Sequence, residues 1–127
     1  MVLVDSSVWI RFLANRAPYA SELDGLLARD QVAGHDFVYG ELILGDRASR
    51  RALLSAYVDI HRVGVIPHDD VVDFIRARAL HNRGIGWVDA HILASAIVGR
   101  TPVWTADRHL SAVARHLGIA YDAPSKP

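Results

Sequence analysis

Short apolar runs alternate with helical periodicities along the chain. Residues 2–5, Val-Leu-Val-Asp, form an apolar run stopped by an acid and two serines, the profile of a strand buried on both faces. Ser6 or Ser7 can then cap a helix carrying Val8, Trp9, Phe12 and Leu13 on one stripe, with Pro18 just past its end. Leu23, Leu26 and Leu27 recur at helical spacing, predicting a helix over residues 21–29, and residues 32–37 follow as a short strand weakened by Gly34. From Val38, Leu42 and Ile43 continue a helical pattern that carries Glu41 near its start. Residues 48–57 read as a further helix, arginine-rich on one side.

Residues 58–66 alternate and are rich in β-branched side chains up to Pro67, which suits a second core strand. His68, Asp69 and Asp70 then open a helix to about His81, its acids placed where the helix dipole favours them. A glycine-punctuated loop, 83–87, leads to an alanine-rich apolar helix from about Asp89 to Val98, closed by Gly99. Residues 102–105 are a short strand stopped by Ala106 and Asp107. Leu110, Val113, Ala114 and Leu117 make the next helical stripe, 119–121 a last edge strand, and 123–127 a frayed tail. Strands separated by helices predict one α/β domain over residues 1–122, with a mostly parallel central sheet and right-handed crossovers.

Composition narrows the chemistry. With 127 residues, 51% hydrophobic and 22% charged, the chain can close one sizeable core and is not disordered. Fourteen basic and fourteen acidic side chains cancel, so binding to nucleic acid must be local rather than driven by bulk charge. Cysteine is absent, which removes disulfides, thiolate catalysis and cysteine-ligated metals and suits a reducing cytoplasm. No run approaches the roughly 20 apolar residues of a membrane span, and Asp5 spoils a signal peptide, so a soluble, unprocessed, cytoplasmic protein is expected. Thirteen of the fourteen basic residues are arginines, a bias compatible with phosphate contacts and equally with genome composition.

Open α/β sheets bind ligands outside the carboxyl ends of their strands. Asp5 ends the first strand, Asp107 follows the last apolar one, Asp89 opens the buried helix, and Glu41 lies near the start of another. Carboxylates gathered this way repel unless protonated or bound to a hard divalent ion, for which Mg2+ is the natural choice and Mn2+ a substitute. Taken singly, each of these acids reads as a helix cap. The seven histidines lack metal-site spacing and read as surface or capping residues.

The blocks Val-Leu-Val-Asp5-Ser-Ser-Val-Trp, Gly40-Glu41-Leu-Ile-Leu-Gly45, Val88-Asp89-Ala-His-Ile-Leu-Ala-Ser-Ala and Val103-Trp-Thr105-Ala-Asp107-Arg-His-Leu appear in the order and approximate spacing of one family. From Val2 to about Tyr121 the chain resembles the PIN-domain ribonucleases, and among them the VapC toxins of bacterial toxin–antitoxin pairs. The resemblance implies a three-layer α/β/α fold in which Asp5, Glu41, Asp89 and Asp107 are catalytic. Asp5, Asp89 and Asp107 would hold the metal, with Thr105 and Ser6 or Ser7 as neighbouring hydroxyls. It also implies a Mg2+-dependent endoribonuclease that cuts structured RNA, transfer or ribosomal. The implied partners are a VapB-type antitoxin and a second copy, as a homodimer or toxin–antitoxin hetero-oligomer. His109 and Leu110 stand where the family commonly has an aromatic residue, a departure that touches packing rather than chemistry.

Two arginine groups are candidates for RNA phosphates, Arg47, Arg50 and Arg51 on one helical face and Arg76, Arg78 and Arg83 before Asp89; a solvated face explains either as well. Trp9 and Phe12 read as core or, if exposed, as a groove for a partner helix. A stand-alone RNA-processing nuclease without an antitoxin would carry the same four acids. A receiver domain would need paired acids after the first strand and a late lysine; here serines follow Asp5 and Lys126 lies in the tail.

Overall fold

A computed structural model describes residues 1–45, 54–55 and 57–124. Its elements in chain order are β1 (Val2–Val4), α1 (Ser6–Leu13), α2 (Tyr19–Ala28), β2 (Val32–Gly34), α3 (Asp36–Leu44), β3 (His61–Arg62), α4 (His68–Ala77), α5 (Trp87–Val98), β4 (Val103–Trp104) and α6 (Arg108–His116). The four strands make one sheet in the order β3-β2-β1-β4, with every pairing parallel. Parallel neighbours cannot be joined by hairpins, so the intervening helices cross over the sheet and cover its faces. Helix α1 packs on both α2 and α3, while α4 packs on α5. This is the three-layer α/β/α architecture.

Burial follows from those pairings. Strand β1 is central and wholly buried, and its side chains join Val8, Trp9, Leu23, Leu26 and Ile92 in the main core. Each such side chain withdrawn from water contributes about 1.5–3 kcal/mol. A second cluster joins Leu93 of α5 to Leu110, Val113 and Ala114 of α6, and a third sets Val71 of α4 against Ala90 and Ala94. Helix α5, apolar nearly all round, is shared by all three clusters, which explains its run of buried residues from Ala90 to Ala96.

Several local expectations change. The alternating segment 58–66 yields only β3, two exposed residues at the sheet edge, rather than a core strand. Only Val63 of its later residues is buried, because an edge position has a neighbour on one side alone. Strand β2 ends at Gly34, and His35 and Asp36 start α3 earlier than the apolar spacing suggests. Helix α4 stops at Ala77 rather than His81, and α5 begins at Trp87, inside the expected loop. Asp5, not a serine, caps α1. Residues 119–121 supply a single parallel bridge, Ala120 to Val103. Trp9 is only 2% exposed, so the alternative of a Trp9 groove is excluded. The helix expected over 48–57, with Arg50 and Arg51 as well as the neighbouring Arg47, falls mostly outside the described residues, as do 125–127 of the tail.

Of the histidines read as surface or capping residues, His35 is a buried cap of α3, whereas His91 is buried and is neither. The imidazole Nδ1 of His35 accepts from the Phe37 amide at 3.0 Å, which fixes the proton on Nε2 toward the Ser95 hydroxyl at 2.9 Å. Its own amide donates to the Tyr57 hydroxyl at 3.1 Å. The same phenol lies 2.9 Å from where a Cβ on Gly34 would stand, so Gly34 makes room for the ring that tethers His35. Burial lowers the His35 pKa to about 4; nearby His91 adds to the shift and Asp36 opposes it.

The unfolded side chain takes its proton near pH 6.5, before the folded one does. The associated stability is therefore complete above pH 6.5 and is lost as the pH falls toward 4, by about 3 kcal/mol. Urea unfolding at pH 5 and pH 7.5 should show about 2 kcal/mol of this loss, and His35→Asn, whose side chain can still cap α3, should be less stable at pH 7.5 but flatter with pH. An equally steep pH dependence in the variant would assign the acid sensitivity to other groups.

Candidate active site

The four acids are positioned by element ends. Asp5 follows β1 directly, Asp107 stands three residues beyond β4 and heads α6, Asp89 lies in the first turn of α5, and Glu41 sits in the second turn of α3. Asp5 is 5% exposed, yet well supplied with donors. Its Oδ2 accepts from the Ser7 hydroxyl at 2.7 Å, the Thr105 hydroxyl at 2.9 Å and, at 3.4 Å, the Ser7 amide. The two hydroxyls are in turn held by backbone, since Ser7 Oγ accepts from the Ala106 amide at 2.9 Å and Thr105 Oγ1 from the Asp107 amide at 3.0 Å. A closed network thus ties the end of β1 to the end of β4.

The other three carboxylates follow a common rule. Asp107 caps α6 through Oδ1, which accepts from the Leu110 amide at 2.8 Å. Asp89 accepts the Gly86 amide on Oδ2 at 3.0 Å, reaching back over the start of α5. Glu41 accepts the Ser6 hydroxyl on Oε1 at 3.2 Å, which ties α3 to α1. Among the described residues, each of the four acids therefore has one oxygen anchored by a protein donor and one that no donor claims. Capping and ligation are compatible, because they use different oxygens of the same carboxylate.

Electrostatics brings the four together. Partial burial raises the Glu41 pKa, and the Asp5 and Asp89 charges raise it further, against the Ser6 hydrogen bond. Burial also raises the Asp89 pKa, the Gly86 amide opposes the shift, and Asp5 and Asp107 reinforce it. Each acid thus feels at least one of the others, a field that a cation would relieve. Among the described residues, no three Asp, Glu or His side chains converge closely enough to hold an ion as they stand. Uncompensated like charges stand apart, and the donor set, carboxylate oxygens with adjacent hydroxyls, fits a hard ion such as Mg2+ or Mn2+.

Of the hydroxyls singled out in the sequence, Ser7 and Thr105 serve Asp5, and Ser6 serves Glu41. The adjacent serines that open α1 are visible in the sequence, but which serine meets which acid needs the fold. Arg76, Arg78 and Arg83 are exposed. His109 packs over Gly84, whose absent Cβ would lie 2.7 Å from the imidazole and whose φ of +77° favours glycine. Leu110 is wholly buried. No described helix is long and apolar enough to cross a membrane.

The family model described as the PIN domain matches residues 2–116. Two curated relatives, both named Ribonuclease VapC32, come from Mycobacterium tuberculosis strains CDC 1551 / Oshkosh and ATCC 25618 / H37Rv. Each is 39% identical over 121 residues, covering 94% of this chain and 95% of the relative. Among solved structures, PAE2754 from Pyrobaculum aerophilum superposes with a TM-score of 0.63 over 96% of this chain and 88% of that one; at 20% identity the likeness concerns the fold.

Replacing Asp5 by asparagine keeps a capping oxygen and removes the charge. With Asp5→Asn, the carboxyl titrations of Glu41 and Asp89, followed by NMR without divalent ions, should both move down, and the melting temperature should hold or rise. Unmoved titrations would mean that the three carboxylates do not share a field.

Proposed function

Because the chain belongs to the PIN domain family, and within it to the VapC-type ribonucleases, we propose that it is the nuclease toxin of a toxin–antitoxin pair, hydrolysing RNA phosphodiesters at its four-carboxylate edge. The observation that carries this reading is the shared pattern of the acids: one oxygen fixed by the fold, one that no described donor claims, with Glu41 in the field of Asp5 and Asp89, and Asp89 in that of Asp5 and Asp107.

In this reading Asp5, Asp89 and Asp107 hold Mg2+, or Mn2+ in its place, and Glu41 positions the water or a further ion. When bound, the metal supplies an acidified water and neutralises charge at the phosphate. The chain's own contribution is positional. Ser7 and Thr105 hold Asp5 in one rotamer, Ser6 orients Glu41, and the helix caps at Asp89 and Asp107 fix the remaining pair. The exposed Arg76, Arg78 and Arg83 offer cations to the RNA backbone, the main source of affinity. The substrate is a structured RNA, transfer or ribosomal, in the cytoplasm.

The partner is a VapB-type antitoxin, within a toxin–antitoxin hetero-oligomer or on a toxin homodimer. With Trp9 buried, its apolar contacts are Ile10 on α1 and Ile43 and Leu44 on α3, helices that pack together; Leu44 is 90% exposed.

Cleavage of total bacterial RNA, followed by 5′-end sequencing, should require Mg2+ or Mn2+ and stop with EDTA. Asp5→Asn, Asp89→Asn and Asp107→Asn should each lower turnover at least a hundredfold without unfolding the chain. Cleavage undiminished in EDTA would falsify the metal chemistry, and near-wild-type turnover in one variant would reduce that acid to a cap.

Expressed alone in a bacterial host, the chain should arrest growth, and co-expression of the adjacent small gene should restore it through a stable complex. Asp5→Asn should still bind that product without arresting growth. A wild-type chain that is harmless at high expression and captures no small protein points instead to a stand-alone RNA-processing nuclease.

A further inference from the structure

Beside the carboxylates lies a cavity of about 190 Å3. Its apolar lining comes from Ile75, Leu80 and Ile85, and its polar lining includes His81 and Asn82. Trp87, the first residue of α5, also borders it. The cavity shares a wall with the catalytic edge, because Gly86, which also lines it, donates its amide to Asp89 at 3.0 Å. Gly86 is thus the link between the cavity and the Asp89 carboxylate, which caps the same loop from outside the cavity lining.

Trp87 is 43% exposed, whereas Trp9 and Trp104 are 2% and 4% exposed. The indole is held in place: His91 packs edge-to-face against it at 4.7 Å between ring centres, and His68 lies tilted at 5.0 Å. An exposed, immobilised aromatic ring over an apolar hollow is the form of a base-stacking platform. His81 and Asn82 add hydrogen-bonding groups able to read a base edge, and the exposed Arg83 next to them supplies a cation for the adjoining phosphate. A partner helix would instead need an elongated groove with anchors at successive turns, and this cavity is a single small hollow.

We propose that the cavity receives one unpaired base of the RNA, stacked on Trp87, while the adjoining phosphodiester sits at the carboxylates. The proposal rests on the ribonuclease reading and adds to it a requirement for an unstacked nucleotide beside the cut. Trp87 is then a specificity-determining residue, and an RNA held fully in duplex is a poor substrate.

The test uses the fact that Trp87 is the exposed one of three tryptophans. With Asp5→Asn to prevent cutting, a short unpaired oligoribonucleotide of mixed sequence should quench tryptophan emission, and the same strand annealed to its complement should not. Trp87→Phe should abolish the signal yet keep cleavage within about threefold, since phenylalanine still stacks. Trp87→Ala should raise KM roughly tenfold or more on the RNA that 5′-end sequencing identifies, with a smaller fall in kcat and an unchanged melting temperature. A wild-type KM in Trp87→Ala, or quenching that persists in Trp87→Phe, overturns the proposal. So does a Trp87→Ala chain that quenches and cuts normally but loses its antitoxin, which would make the cavity a protein contact. If the wild-type chain cuts no RNA while unpaired RNA still quenches it, the base pocket stands and the nuclease reading falls.

Discussion

A buried carboxylate is tolerable only when the protein supplies donors in place of water, and Asp5 meets that condition with groups from two distant parts of the chain. The hydroxyls of Ser7 and Thr105 each have one proton, and both point it at Oδ2. Their mutual contact at 3.1 Å is then a consequence of sharing that acceptor rather than a bond of its own. Because each hydroxyl also accepts a backbone amide next to Asp107, the direction of Asp5 and the start of α6 are set together. The remaining acids hang on elements that this junction places, α1 with its tie to α3, and the loop that His109 holds beside α5.

The same acids that relieve unpaired amides at helix starts also crowd charge at one edge. Their dual use lets the edge fold with like charges side by side: each acid gains a local hydrogen bond that offsets part of the repulsion. The raised affinity of Glu41 and Asp89 for protons comes first from their partial burial and then from the neighbouring carboxylate charges. A hard cation would have to draw the carboxylates closer, since among the described residues no three of them converge on one point.

Much of this was legible in the chain before any coordinates. The Val-Leu-Val run, the Trp9 and Leu110 stripes and the alanine-rich segment after Asp89 encode burial by composition and period, and they became β1, α1, α6 and α5. The positions of Asp5, Asp89 and Asp107 at element starts and ends followed from the same pattern, whereas Glu41, expected near the start of its helix, lies in the second turn of α3 because that helix begins at Asp36. What the pattern could not encode was pairing. An alternating stretch reads alike at a sheet centre and at its edge, so 58–66 promised more than the two residues of β3. His35 looked like any loop histidine because its partners, Ser95 and Tyr57, are 60 and 22 residues away. Trp87 sat in a glycine loop that gave no sign of the hollow formed with Ile75 and Leu80.

The sheet order has a consequence for synthesis. Strand β1 is made first but pairs with β4, and Asp5 waits 100 residues for the Thr105 hydroxyl. A nascent chain that has not yet released β4 from the ribosome has neither Asp107 nor the clamp on Asp5, so its acids cannot act together. Parallel topology thus delays assembly of the acidic edge until β4 can pair with β1.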